Sequence, residues 1–295
     1  MLKFSIVSPS FNQAAFLDDM LRSVRQQGYA ELEHIVMDGG STDGSVEILR
    51  AAEQMDTSCL RWESKPDGGQ SDALNQGFRQ AQGDIVGWLN SDDRYHDGCL
   101  KEVARAFEEN PDVDVIYGDY AVIDAAGLHL RTRREIEFSR LILVHHASLY
   151  VSSTCTFFRR RIFDEKNFLD ETLHYAMDHE FFARLAMLGY RFKHVRVVLA
   201  DFRLHGASKT CVRPAQQLVE SNVVMHRYSP VVRWVENRAL RSICLRAVRL
   251  GAAFLRYSEK LLRGYYLREG SDWRLLVPFL PARTLSTSTK DAGDL

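Results

Sequence analysis

Val36-Met37-Asp38-Gly39-Gly40-Ser41-Thr42-Asp43-Gly44-Ser45 is an apolar run that ends on a carboxylate and passes through a glycine-rich turn into a helical pattern. Strand, turn and helix in that order are the repeating unit of a parallel α/β sheet. In open α/β sheets ligands bind at the carboxyl ends of the strands. Asp43 suits the helix cap. Asp38, at the strand end, is left for a nucleotide-binding loop.

Outward from this stretch the same alternation continues. Strands are expected at 4–8, 33–37, 59–63, 84–89 and 113–117, and helices at 14–27, 44–55, 70–81 and 97–109. Leu17, Leu21 and Val24 give the first helix an apolar stripe at helical spacing. Past Tyr117 the stretch from Ala121 to Leu130 reads as two strands joined by a turn, so the second half of the sheet is expected to be mixed. A helix over 178–189 and a strand pair between Phe192 and Leu204 complete this part, with its edge near Pro214.

Two common nucleotide motifs are missing. The first strand-to-helix turn is Ser8-Pro9-Ser10-Phe11-Asn12-Gln13, without G-x-G-x-x-G, and no G-x-x-x-x-G-K-[ST] occurs. Dehydrogenase and P-loop readings therefore drop out. A second strand, Gly87-Trp88-Leu89, ends in Asn90-Ser91-Asp92-Asp93. Oxygen-bearing side chains at a strand end suit a hard divalent cation that shares its shell with a diphosphate.

With 295 residues, 45 % apolar and 26 % charged, the chain has room for one large domain and an appendage. The formal net charge of −1 conceals an arginine-rich stretch at 219–269. Five cysteines lie scattered without a C-x-x-C pair, which points to reduced thiols rather than a zinc site or disulfides. The amino-terminal apolar run meets Pro9 too soon for a signal-peptide core. No apolar stretch approaches the roughly 20 residues of a membrane-spanning helix. A cytoplasmic protein is expected, peripheral on the inner face of the membrane if it meets one.

Taken together, Ser5-Ile6-Val7-Ser8-Pro9-Ser10-Phe11-Asn12, the Asp38–Ser45 turn and Asn90-Ser91-Asp92-Asp93 occur in the order and spacing of family 2 glycosyltransferases, which this chain resembles over about 3–210. The resemblance implies an α/β fold of GT-A type, the nucleotide-diphospho-sugar transferase fold, with a mixed central sheet and here a helical C-terminal extension. It also implies inversion at the anomeric carbon and a divalent metal, Mg²⁺ or Mn²⁺. Carried over, it places Pro9, Phe11, Asp38, Asp67, Asn75, Ser91 and Asp92 at the nucleotide sugar, with Asp38 and Asp67 near the base. Asp92 is the metal-binding end of a D-x-D motif whose first position is Asn90. Leu74 stands where many members have a basic residue.

In Tyr175-Ala176-Met177-Asp178-His179-Glu180, Asp178 matches the aspartate that serves the family as catalytic base, with Met177 in place of an acidic neighbour. Phe202-Arg203-Leu204-His205-Gly206-Ala207-Ser208 resembles the segment that closes over the diphosphate. Arg203 is assigned there to the nucleotide sugar and His205 to the metal. A retaining glycosidase pair at Asp178 and Glu180 makes no use of the nucleotide loops. The alternatives carried forward are a nucleotidyltransferase and a non-catalytic nucleotide-sugar binding module.

These readings divide the chain into a catalytic domain at 1–213, a basic helical extension at 214–283 and a disordered tail at 284–295. The expected partners are a UDP-, dTDP- or GDP-linked sugar and a hydroxyl of a glycan or lipid-linked glycan, in bacterial surface polysaccharide synthesis. An anionic membrane surface is expected to meet 219–269, since polybasic amphipathic helices favour one. Nucleic acid is not expected, because no recognition motif accompanies the charge.

Overall fold

The computed structural model describes residues 1–55, 59–146, 148–206 and 208–267. The expected tail at 284–295 and the end of the extension lie outside them. The first half alternates as the sequence predicts: β1 (Phe4–Ser10), α1 (Ala14–Arg25), β2 (Leu32–Asp38), α2 (Ser45–Met55), β3 (Leu60–Ser64), α3 (Gln70–Gln80) and β4 (Ile85–Trp88). Strand β1 pairs in parallel with both β2 and β4, and β2 with β3. All seven residues of β1 are buried, as expected for a strand covered by helices on both faces.

The second half holds β5 (Arg94–Tyr95), α4 (Cys99–Glu109), β6 (Val115–Ile123), β7 (His129–Arg133), α5 (Arg140–His145), β8 (Thr156–Arg159), α6 (Arg161–Asp164), α7 (Met177–Leu188) and β9 (Phe192–Arg203). The sheet runs β3-β2-β1-β4-β8-β6-β9-β5, with β7 also on β6. It is mixed: β8 is antiparallel to β4 and β6, while β6 and β9 are parallel.

Several sequence expectations change here. The strands expected at 113–117 and from 121 are one continuous β6, because β9 pairs along it on one side while β8 and then β7 pair along the other. The strand pair expected between Phe192 and Leu204 is also a single strand. Its register against β6 shifts around Gly118–Tyr120, and that irregularity breaks the alternation into two apparent pieces. Strands β5 and β8, of two and four residues, are too short to show a period.

Apolar side chains fill both faces of the sheet. One cluster joins Leu74, Phe78, Trp88, Phe158, Phe181 and Phe182 under α3, α5 and α7; the other joins Phe4, Ile6, Leu17, Val103, Phe107 and Leu199 under α1 and α4. Helix α3 packs so closely on β1 that a Cβ at Gly77 would lie 2.3 Å from Val7 Cγ1. Cys99 and Cys155 are buried free thiols, and Cys244 is also free.

Among the described residues four more α-helices follow: α8 (Lys209–Val212), α9 (Pro214–Tyr228), α10 (Pro230–Trp234) and α11 (Arg238–Leu262). The edge expected near Pro214 falls at the start of α9. That helix packs on α7, and α11 packs on α5. Val224 and Ala252 enter the same apolar cluster as Phe181. Among the described residues no helix is long and apolar enough to cross a membrane.

Candidate active site

A cavity of about 680 Å³ opens where β1, β2 and β4 end, closed on its other sides by the start of α7 and by α8 and α9. Its walls include Pro9, Phe11, Asp67, Ser91, Asp92 and Asp178, six of the residues expected at the site. Asp38, Asn75, Arg203 and His205 do not line it.

Each strand end contributes through a hydrogen-bonded turn. Asp38 is 2 % exposed, and its carboxylate accepts from Gly40 N, Ser41 N, Ser41 Oγ and Ser64 Oγ at 2.5–3.1 Å. Three of these bonds fall on Oδ2 and one on Oδ1, and together they hold the turn at the end of β2. Gly40 sits at φ +82°, a region that favours glycine. A Cβ at Gly39 would meet Asp67 Oδ2 at 2.9 Å, so the turn and Asp67 approach as closely as glycine permits. Burial raises the Asp67 carboxyl above its ordinary value; the Gly69 amide opposes this, and the charges of Asp72 and Asp38 add to it.

At the end of β4, Asn90 is fixed on both sides. Its Oδ1 accepts from Gln70 Nε2 and Trp88 Nε1 at 2.9 and 2.8 Å, and its Nδ2 donates to Asp93 Oδ2 at 3.1 Å. An aspartate at 90 has no N–H to give and would set a second carboxylate against Asp93. Asp93 is buried and also accepts from Thr154 Oγ1 and Arg203 N. Burial first, and then the charge of Asp92, raise its pKa. Ser91 Oγ donates to the Pro9 carbonyl, which ties this turn to the end of β1.

Asp92 and His205, the two expected metal ligands, are neighbours, with Nε2 3.0 Å from Oδ2. The His205 ring lies 4.5 Å from that of Phe16. Among the described residues no group of three or more His, Cys, Asp or Glu side chains could hold an ion. One carboxylate and one imidazole fit a cation that completes its shell with substrate phosphates and water.

Arg203 departs from its expected role. It is 3 % exposed; Nε donates to the Asp92 carbonyl at 2.7 Å, and the rest of the guanidinium meets Asp19, Asp124 and Ala125. It positions the Asp92 turn from behind. Asn75 is corrected likewise: its amide bonds Leu169 and Glu171, locking α3 to that loop.

Asp178 stands in the first turn of α7. Burial pushes its carboxyl up to about 6, against the lowering effect of the His179 amide at 2.7 Å and of Lys209. Glu180 is a different kind of residue. It is 1 % exposed and bonds Arg184 at 3.0 Å and Tyr228 Oη at 2.5 Å, with Arg227 at 3.6 Å.

Two residues at or beside the cavity have no place in the sequence reading. Lys209 lines the cavity, donates to the His174 carbonyl at 3.1 Å, and sits in the field of Asp178, Glu220 and Asp92. Its place one residue after the Arg203–Ser208 segment was the available cue. Glu220, on α9, accepts from the amides of His174, Tyr175 and Ala176, at 2.7 Å from Tyr175, just before α7 begins. The nearby Gln217 lines the cavity. Nothing in the local sequence around Glu220 marks it, because its partners are backbone amides 44 to 46 residues away.

The model of the family described as Glycosyl transferase family 2 matches residues 5–166. An uncharacterized glycosyltransferase of Mycobacterium tuberculosis strain H37Rv is 32 % identical over 211 residues, covering 68 % of this chain and 75 % of that protein. The O-antigen biosynthesis protein RfbC of Myxococcus xanthus is 34 % identical over 125 residues, 42 % of this chain and 10 % of that one. Among solved structures, S. aureus TarS 1-349 in complex with UDP-GlcNAc superposes with a TM-score of 0.64 at 19 % identity, covering 91 % of this chain and 76 % of that one. The mannosyltransferase PcManGT of Pyrobaculum calidifontis, in complex with GDP-Man and Mn²⁺, gives 0.62 at 20 %, covering 85 % and 73 %. These likenesses establish the GT-A type fold.

Proposed function

This chain belongs to glycosyl transferase family 2, and from that premise we propose that it transfers a sugar, with inversion, from a UDP-, dTDP- or GDP-linked donor to a hydroxyl of a glycan or lipid-linked glycan in surface polysaccharide synthesis. Membership of a glycosyltransferase family sets aside the nucleotidyltransferase and non-catalytic alternatives. The observation that carries the proposal is Asp178: a half-buried carboxylate, raised to about 6, in the same cavity as the strand-end turns and Asp92.

In this reading Asp67 and the exposed ring of Phe11 hold the nucleoside end, against the Gly39–Gly40 turn that Asp38 braces. Lys209 offsets the negative charge of the diphosphate. When bound, a divalent cation held by Asp92 and His205 would neutralise charge on the departing nucleoside diphosphate. Asp178 takes the acceptor hydroxyl's proton. The acceptor oxygen bonds to the anomeric carbon, and the carbon–oxygen bond to the diphosphate breaks on the opposite face, its electron pair leaving with the nucleotide. A base about 3 Å from the reacting hydroxyl serves this step. RfbC and PcManGT, named for O-antigen biosynthesis and mannosyl transfer, support the substrate class. A lipid-linked acceptor would bring the protein to the inner face of the cytoplasmic membrane.

The test is nucleoside diphosphate release from a panel of sugar nucleotides with Mn²⁺ or Mg²⁺, with and without glycan acceptors, followed by anomeric analysis of the product. Acceptor-stimulated release with inversion is expected. A retained anomeric configuration, or no release from any donor that binds, would overturn the proposal.

A further inference from the structure

Helix α11 has two faces, and among the described residues only one is covered. On the inner face Leu245, Ala252, Arg256 and Lys260 are buried, and Arg256 and Lys260 meet Glu135 at 3.0 and 2.8 Å. On the opposite face Leu240, Ile243, Leu250, Phe254 and Leu261 are 51–73 % exposed. Their spacings of three, seven, four and seven residues keep them in one stripe along the helix. At 1.5 Å per residue the stripe is about 30 Å long. Trp234, 78 % exposed, stands on the helix just before it. Single exposed leucines are ordinary; a continuous apolar stripe of this length marks a contact surface.

Charge selects what the stripe meets. From 230 to 263 eight Lys and Arg side chains face only Glu236 and Glu259. Arg233, Arg238 and Arg246 are exposed and pair with no carboxylate among the described residues. A second copy of the chain would set like charge against like. An anionic bilayer instead supplies phosphates to the arginines and an apolar layer to the stripe.

We propose that α11 lies in the interface of an anionic membrane, with its outward stripe below the headgroups and Arg233, Arg238 and Arg246 among them. This deepens the membrane placement given above, yet it stands on the helix alone and not on sugar chemistry. It also redraws the contact expected from sequence. Arg249, Arg256, Lys260 and Arg263 are engaged inside the protein, so insertion of apolar side chains, rather than the whole run of charge, carries the binding.

Deleting α11 would strand Glu135, so the test uses substitutions on the outer face of the full chain. Co-sedimentation with phosphatidylcholine vesicles, with and without phosphatidylglycerol, is measured for the parent, for Ile243→Glu/Phe254→Glu, and for Arg233→Gln/Arg238→Gln/Arg246→Gln. Burial of two such side chains predicts at least about a tenfold loss of vesicle partitioning in the first variant. The arginine variant should lose several-fold on anionic vesicles only. Circular dichroism and nucleoside diphosphate release should match the parent in both. Undiminished binding by Ile243→Glu/Phe254→Glu, no binding by the parent, or a parent dimer that this variant converts to monomer in ultracentrifugation would each overturn the proposal. A chain that binds vesicles as described but releases no nucleotide would instead count against the transferase reading alone.

Discussion

Asp178 is placed where a base is useful and a charge is costly. Burial raises it to about 6, so in the folded protein the protonated form is favoured relative to an ordinary aspartate at 3.8. The sign follows: the stability this shift contributes is full below about pH 4 and is lost as pH rises through about 6. Catalysis runs the other way, because only the carboxylate accepts a proton. The acid limb of kcat/KM should therefore turn near pH 6, and a limb near 4 would remove Asp178 from the role. Asp178→Asn should lose transfer by about 10²–10⁴-fold with donor affinity kept. At pH 7–8 its Tm should equal or exceed the parent's. Glu180 serves poorly as a matched control: Glu180→Gln disturbs a buried pair with Arg184, and reduced stability is expected with it. Lys209→Met should weaken donor binding and slow transfer together, read as a rise in donor KM and a fall in kcat; unchanged kinetics would separate Lys209 from the diphosphate.

At the scale of elements, the strand ends were readable because each carries its chemistry within a few residues of an apolar run. β1, β2 and β4 stop at Ser10, Asp38 and Trp88, close to where periodicity predicts, and their turns meet at one cavity. What was not readable depended on partners far away in the chain. Asn75, Arg203 and Asp38 sit inside recognisable motifs, yet their side chains bond other protein groups, which spacing does not encode. The same holds for β8, whose four residues become a strand between β4 and β6. Glu220 is the clearest case, since α9 reaches across to hold three amides ahead of α7. Glu220→Ala should lower kcat by loosening the approach to Asp178 while leaving donor affinity near the parent's, and Glu220→Gln should restore part of the loss. Equal kcat in the parent and Glu220→Ala would reduce the contact to a structural one.

Across the whole molecule, the boundary expected at 213 separates neither the cavity nor the core. α9 supplies Gln217 to the cavity, and α11 closes over Glu135, which lies just beyond β7. Burial alone would raise the Glu135 pKa, but Arg256 and Lys260 outweigh it and hold the carboxyl below its ordinary 4.5. A depressed carboxylate contributes stability that is present above the unfolded value and is lost as pH falls through the folded one. The attachment of α11 should therefore weaken below about pH 4.5. Arg256→Met/Lys260→Met leaves Glu135 buried without a partner and should cost about 3–5 kcal/mol. Adding Glu135→Met removes the stranded charge and should return most of that loss, since a buried ion cluster replaced by apolar side chains is often neutral. Urea unfolding of the parent, the double and the triple variants at pH 7 and pH 4 checks both points. The double variant should be the least stable at pH 7. Its deficit should shrink at pH 4, where Glu135 can take up a proton. A triple variant no more stable than the double would mean that α11 is held chiefly by packing around Leu245 and Ala252, and that the ion cluster contributes little to joining the two parts of the chain.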